Sequence, residues 1–140
     1  MFSGRRYGDV VVAEMDEPID PIVQNFLNDI CASFPEMRPR MDIHEDFMTT
    51  SRMQEFAEAT TEAFEVGDTA RAQAYLSFMS ARLNTENAKE FEYIDVSYVE
   101  NLFWPRETEA ARVGWPLVPE NLKALYLGFH PRPPWKAYSE

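Results

Sequence analysis

The side chains most able to do chemistry in this chain are carboxylates. Glu55, Glu58, Glu62 and Glu65 stand three, four and three residues apart, a spacing that sets all four on one stripe of a helix. None of them has a Lys or Arg four residues further on. Glu58 with Glu62 and Glu62 with Glu65 are like-charge helical neighbours, each pair costing about 0.2–0.5 kcal/mol. Such an unpaired acidic ridge is either a solvated face or a docking surface for a basic partner, whose Lys and Arg would relieve the repulsion on binding. Upstream, the run Asp42-Ile43-His44-Glu45-Asp46 offers Asp42, Glu45 and Asp46 as an extension of that surface.

The same run contains the only pattern with a metal-binding flavour. Asp42, His44 and Asp46 alternate, which would place them on one side of an extended strand. A metal-dependent enzyme using His44 and Asp46 with Asp95 is therefore one alternative. A metal site usually needs a second cluster or a helical His pair, and the other histidine, His130, sits in a proline-rich tail. The chain has no Gly-rich phosphate loop, no Gly-x-Ser-x-Gly elbow and no Cys-x-x-Cys. No catalytic residue, cofactor or metal is expected, and a non-enzymatic role is favoured.

The elements that must carry these residues read as helices. Asp20-Pro21 is a helix-start signature, and Ile22, Val23, Phe26, Leu27, Ile30, Cys31 and Phe34 follow at helical spacing. Cys31 on that apolar face is a packed thiol rather than a nucleophile. Residues 35–48, with two prolines, read as a loop. Ser51 with Gln54 reads as a capping box for a second helix whose apolar face is Met53, Phe56, Ala57, Thr60, Ala63 and Phe64. Gly67 closes it and Asp68 opens a third, with Ala72, Tyr75, Leu76, Met79 and Leu83 inward, so the two form an αα-hairpin. Small residues on the reverse side of the third helix, Ala70, Ala74, Ser77 and Ala81, would allow a homo-oligomeric scaffold.

A fourth helix over residues 85–104 shows Ala88, Phe91, Ile94, Val96, Tyr98, Val99, Leu102 and Phe103 over more than half its circumference, which predicts a central helix. Asp95 falls inside that arc. It must find a counter-charge, with Arg38, Arg40 and Arg52 the nearest in sequence, or be neutralised by a raised pKa. A polar link follows Trp104-Pro105, and Pro119 opens a short fifth helix through Leu122, Leu125, Tyr126 and Phe129. Trp104, Trp115 and Trp135, in or beside proline-containing turns, either plug the core or anchor an interface, with Trp115 expected at the partner contact. The expected architecture is all-α with about five helices: an N-terminal arm over 1–17, one helical domain over 18–129, and a proline-rich tail over 130–140.

Charge decides among partners. The 140 residues carry 24 Asp and Glu against 13 Lys and Arg, a net charge of −11, which repels a phosphate backbone. Nucleic acid is disfavoured, and a basic protein surface is favoured. The longest aliphatic run, Val10–Ala13, is far short of the ~20 apolar residues that cross a bilayer. One cysteine cannot make an internal disulfide, and no apolar signal segment follows Arg5-Arg6. A cytoplasmic location is expected.

Several short segments carry a resemblance. Phe34-Pro35-Glu36-Met37, Gly67-Asp68, Tyr75-Leu76-x-Phe78, Val96-Ser97-Tyr98-Val99-Glu100-Asn101-Leu102 and Leu117-Val118-Pro119-Glu120-Asn121-Leu122, in this order and spacing, resemble a family of small bacterial helical domains known only as a domain of unknown function. The resemblance spans Ile22 to Tyr126. It implies a cytoplasmic all-α domain without an assigned active site, of the kind found among candidate immunity proteins of bacterial toxin systems. The expected function is an acidic immunity protein that occludes a cognate toxin, with Glu55, Glu58, Glu62, Glu65, Asp42, Glu45, Asp46 and Trp115 at the contact. The homo-oligomeric scaffold and the metal-dependent enzyme are the alternatives.

Overall fold

A computed structural model describes residues 19–104, 106 and 108–134. The N-terminal arm over 1–17, Trp135 and the end of the tail lie outside the described residues. Among the described residues seven α-helices run in the order α1 (Pro21–Ser33), α2 (Met37–Asp42), α3 (Thr49–Glu65), α4 (Thr69–Leu83), α5 (Ala88–Tyr93), α6 (Glu109–Gly114) and α7 (Glu120–Phe129). The all-α class stands, and among the described residues there is no strand. Two of the seven, α2 and α6, replace segments expected to be loop and polar link. Each has six residues, too few to show a helical period. Pro39 is tolerated in α2 because it falls in the first turn, where backbone N–H groups lack intrahelical partners.

The caps explain where the long helices begin and end. Asp20 accepts from Ile22 N at 2.9 Å and Asp68 from Arg71 N at 3.2 Å. Gly67 lies at φ +82°, the left-handed conformation that closes α3. Gly67 N donates to Phe64 O at 3.2 Å and Asp68 N to Ala63 O at 2.8 Å, a Schellman closure that turns the chain into the αα-hairpin. The expected capping box does not form. α3 starts at Thr49 after Met48, with no side-chain cap, so Ser51 is already inside the helix.

α3 is the hub, and this corrects the expectation that the fourth helix is central. α2, α4, α6 and the segment after α5 all pack on it. Its buried residues include Arg52, Ala59 and Thr61 besides the expected apolar face. Small Ala and Thr side chains admit neighbours on several sides, and Thr hydroxyls stay satisfied by bonding back to the preceding turn. Thr60 and Thr61 do so to Phe56 O and Ala57 O.

The fourth helix is not one regular element. α5 passes into a π turn over Ile94–Tyr98 and a 3-10 turn over Val99–Asn101. A π turn closes i to i+5 bonds and takes one residue more than an α turn, so the wheel drawn at constant pitch loses phase. Phe91 and Val96, expected inside, are 43% and 46% exposed, while Ile94, Tyr98, Val99, Leu102 and Phe103 are buried. Phe103 ends the segment at φ +62°, a strained conformation for an aromatic residue.

The core runs from Phe26, Leu27 and Ile30 of α1 through Phe56 and Phe64 of α3 to Tyr75, Tyr98 and Tyr126. Cys31 is packed, its Sγ 3.6 Å from Met41 Sδ, and burial pushes its thiol pKa up. Arg82 ties three helices together. It bonds Asp29 at 3.0 Å and Glu90 at 2.7 Å with its guanidinium 4.6 Å from the Phe26 ring centroid. The first residues of the tail lie against the domain: the His130 ring is 4.5 Å from that of Tyr126, and Arg106 donates to Arg132 O and Pro133 O. No helix of the described residues is long and apolar enough to cross a membrane.

Candidate functional site

The four glutamates of α3 do form one outward stripe, but α2 changes its electrostatics. Arg40 of α2 lies along the stripe and joins three of the four. Its Nε is 3.2 Å from Glu55 Oε1, its Nη2 3.8 Å from Glu58 Oε1, and its Nη1 2.7 Å from Glu62 Oε1. Nη2 also donates to Glu62 Oε2 at 3.2 Å, so the contact to Glu62 is a two-pronged fork. The hydrogen bond to Glu62 raises the guanidinium pKa further. His44 adds a bond from Nε2 to Glu55 Oε2 at 2.8 Å. The ridge is therefore not unpaired, as the sequence suggested, because its cation comes from 22 residues upstream of Glu62 and no i,i+4 rule can see it.

The acids before α3 are also partnered. Arg52 is buried; it donates to His44 O at 2.7 Å and Asp46 Oδ1 at 3.0 Å, with Asp42 Oδ1 3.9 Å away. Asp42 and Asp46 thus serve to neutralise a buried arginine, and Glu45 stays exposed. The trio His44, Asp46 and Asp95 does not assemble. His44 turns to Glu55 and Asp46 to Arg52, and among the described residues no three His, Cys, Asp or Glu side chains are grouped to share a metal. Asp95 is half-buried rather than enclosed. None of Arg38, Arg40 or Arg52 reaches it among the described residues, and burial raises its carboxyl pKa, with Glu100 adding to the shift.

What remains open lies at the C-terminal end of the stripe. A groove of about 240 Å³ is lined by Glu58, Thr61, Glu62, Glu65, Asn101 and Trp104. Trp104 is 65% exposed and follows the strained Phe103, whose N–H donates to Thr61 Oγ1 at 2.9 Å. Asn101 is held by a bond from Nδ2 to Ser97 O at 2.8 Å. Partial burial, then Glu55, raise the Glu58 carboxyl pKa, with Arg40 opposing. Glu65 makes no ion pair among the described residues. Trp115, expected at the contact, does not line the groove. Its ring packs on Tyr126 at 5.2 Å and under the Lys123 ammonium at 5.2 Å, so it serves as a plug at the end of the core. The signal for Trp104 was its place beside Pro105, the same signal that pointed to Trp115; the backbone turn at Phe103 separates the two.

On the other side of Glu62 lies a second cleft, of about 320 Å³, floored by Met37, Ala59, Ala63 and Tyr75 and rimmed by Glu36, Arg40, Asp68 and Arg71. Tyr75 is buried and donates to Glu36 Oε2 at 2.6 Å. Burial first, then that bond, push its phenol pKa up to about 12. Chemically, the two clefts offer charge and a flat aromatic face but no nucleophile beside a base.

No curated protein and no solved structure matches the chain. A family model, the domain of unknown function DUF7674, matches residues 27–131, three quarters of the chain, so the chain belongs to that family.

Proposed function

We propose that the chain is a non-enzymatic binding module of the bacterial cytoplasm, an immunity protein that neutralises a toxin by covering its basic substrate-binding surface. The observation that carries this reading is the groove in which Glu58, Glu62 and Glu65 face an exposed Trp104. Carboxylates beside an open aromatic face suit a Lys or Arg of a partner, which gains an ion pair and a ring contact together. The net charge of −11 speeds encounter with a basic protein and repels nucleic acid. The contact is therefore smaller than the sequence alone indicates: Glu58, Glu65, Trp104 and Glu62, which it shares with Arg40, form it, while Glu55, Asp42 and Asp46 are engaged within the fold.

The test is capture from cells that make the chain, with salt raised stepwise, using the native protein and the double variant Glu58→Lys/Glu65→Lys. Glu62 is left intact because Arg40 depends on it. A single stoichiometric basic protein, released by salt and lost with the double variant, is expected. Equal capture by a correctly folded double variant overturns the reading.

A further inference from the structure

We infer that Arg40 is a built-in competitor for the cation that the groove takes, so that α2 sets how tightly a partner binds. This deepens the docking reading and rests on it. Glu62 is the wall common to the two clefts. Arg40 reaches it from the larger cleft and occupies both oxygens, at 2.7 and 3.2 Å.

A cation arriving in the groove meets Glu65 with no ion pair among the described residues, Glu58 only loosely held at 3.8 Å, and Glu62 already engaged. To use Glu62 fully it must open the Arg40 fork. Opening it does not strand a charge. Arg40 keeps Glu55 at 3.2 Å and is part-exposed, so its released prongs reach water. The competition is therefore an exchange of one ion pair for another rather than the breaking of a buried one. It also discriminates: an arginine, with a fork of its own, can replace Arg40 at Glu62, whereas a lysine offers a point charge.

The probe is a hexa-arginine peptide titrated against the native chain, Arg40→Gln and Lys89→Gln at low salt. Lys89→Gln removes the same unit of charge from a cation whose partner is Glu92, and so corrects for the change in overall attraction. Arg40→Gln is expected to bind about three- to fivefold more tightly than Lys89→Gln, the size of one exposed ion pair released. Equal or weaker binding by Arg40→Gln overturns the inference and leaves the docking reading standing. Failure of all three proteins to bind overturns the docking reading itself. Where thermal unfolding shows that the Gln variant does not fold, Arg40→Lys replaces it. That variant keeps the charge and gives up the fork, so it should bind about twofold more tightly than the native chain, and no change overturns the inference.

Discussion

The backbone N–H of Phe103 donates to Thr61 Oγ1 at 2.9 Å across 42 residues, and this bond joins the hub helix to the turn that presents Trp104. Thr61 in turn donates to Ala57 O at 3.2 Å, so its one hydroxyl serves both sides. Replacing it by Val keeps the shape and leaves a buried N–H without an acceptor. Thr61→Val is expected to cost about 1–3 kcal/mol in urea unfolding and to weaken partner binding, because the Trp104 wall is no longer held.

Trp104 itself is exposed and should separate binding from stability. Trp104→Ala is expected to shift unfolding by less than about 0.5 kcal/mol. Binding of a basic partner should fall about fivefold or more, the scale of an interface aromatic. Titration and a denaturant curve on the same sample check both halves. Unchanged binding would remove Trp104 from the site.

Gly114 fixes how closely α6 approaches α3. A Cβ there would lie 2.7 Å from Phe103 Cε1 and 2.7 Å from Phe64 Cδ2, two rings already 5.8 Å apart at their centroids. Gly114→Ala is expected to destabilise by about 1–3 kcal/mol through overpacking. Gly67→Ala should cost about 1–2 kcal/mol for a different reason, the left-handed backbone, with nothing within 4 Å of the added carbon. Calorimetric melting of the two variants against the native chain tests both.

Asp95 gives a pH prediction with a definite sign. Its folded pKa is raised by burial and by Glu100, so the folded chain holds that proton more tightly than the unfolded one. Stability contributed by this group is present at acid pH and lost as pH rises through the raised carboxylate range. Asp95→Asn is therefore expected to raise the melting temperature at neutral pH and to leave it nearly unchanged at a pH low enough to protonate the carboxyl in both states. A lower melting temperature at neutral pH would show that the ionised carboxylate is stabilised by the fold.

The helices legible in the sequence are those with a period and a cap. α1, α4 and α7 fall where Asp20, Asp68 and Pro119 and their apolar spacing place them, and the Gly67-Asp68 turn closes as read. α2 and α6 escaped because six residues cannot display a period. The inward and outward faces of the fourth segment were misassigned because a π turn breaks the constant pitch that every wheel assumes. For the site, the glutamate stripe was legible and its partners were not.

By itself the sequence determined that this chain is an acidic helical protein with an αα-hairpin and a carboxylate stripe on its second long helix. These follow from local rules: side-chain period, cap chemistry and charge spacing within a turn or two. Only the tertiary structure decided which carboxylates stay open. Arg40, 22 residues from Glu62, and Arg52, through its hold on Asp46, neutralise most of them. The left-handed Phe103 places Trp104, rather than Trp115, at the remaining groove. Each of these depends on contacts between distant parts of the chain, where the approach of two helices, and not the order of residues along either, sets which charges meet.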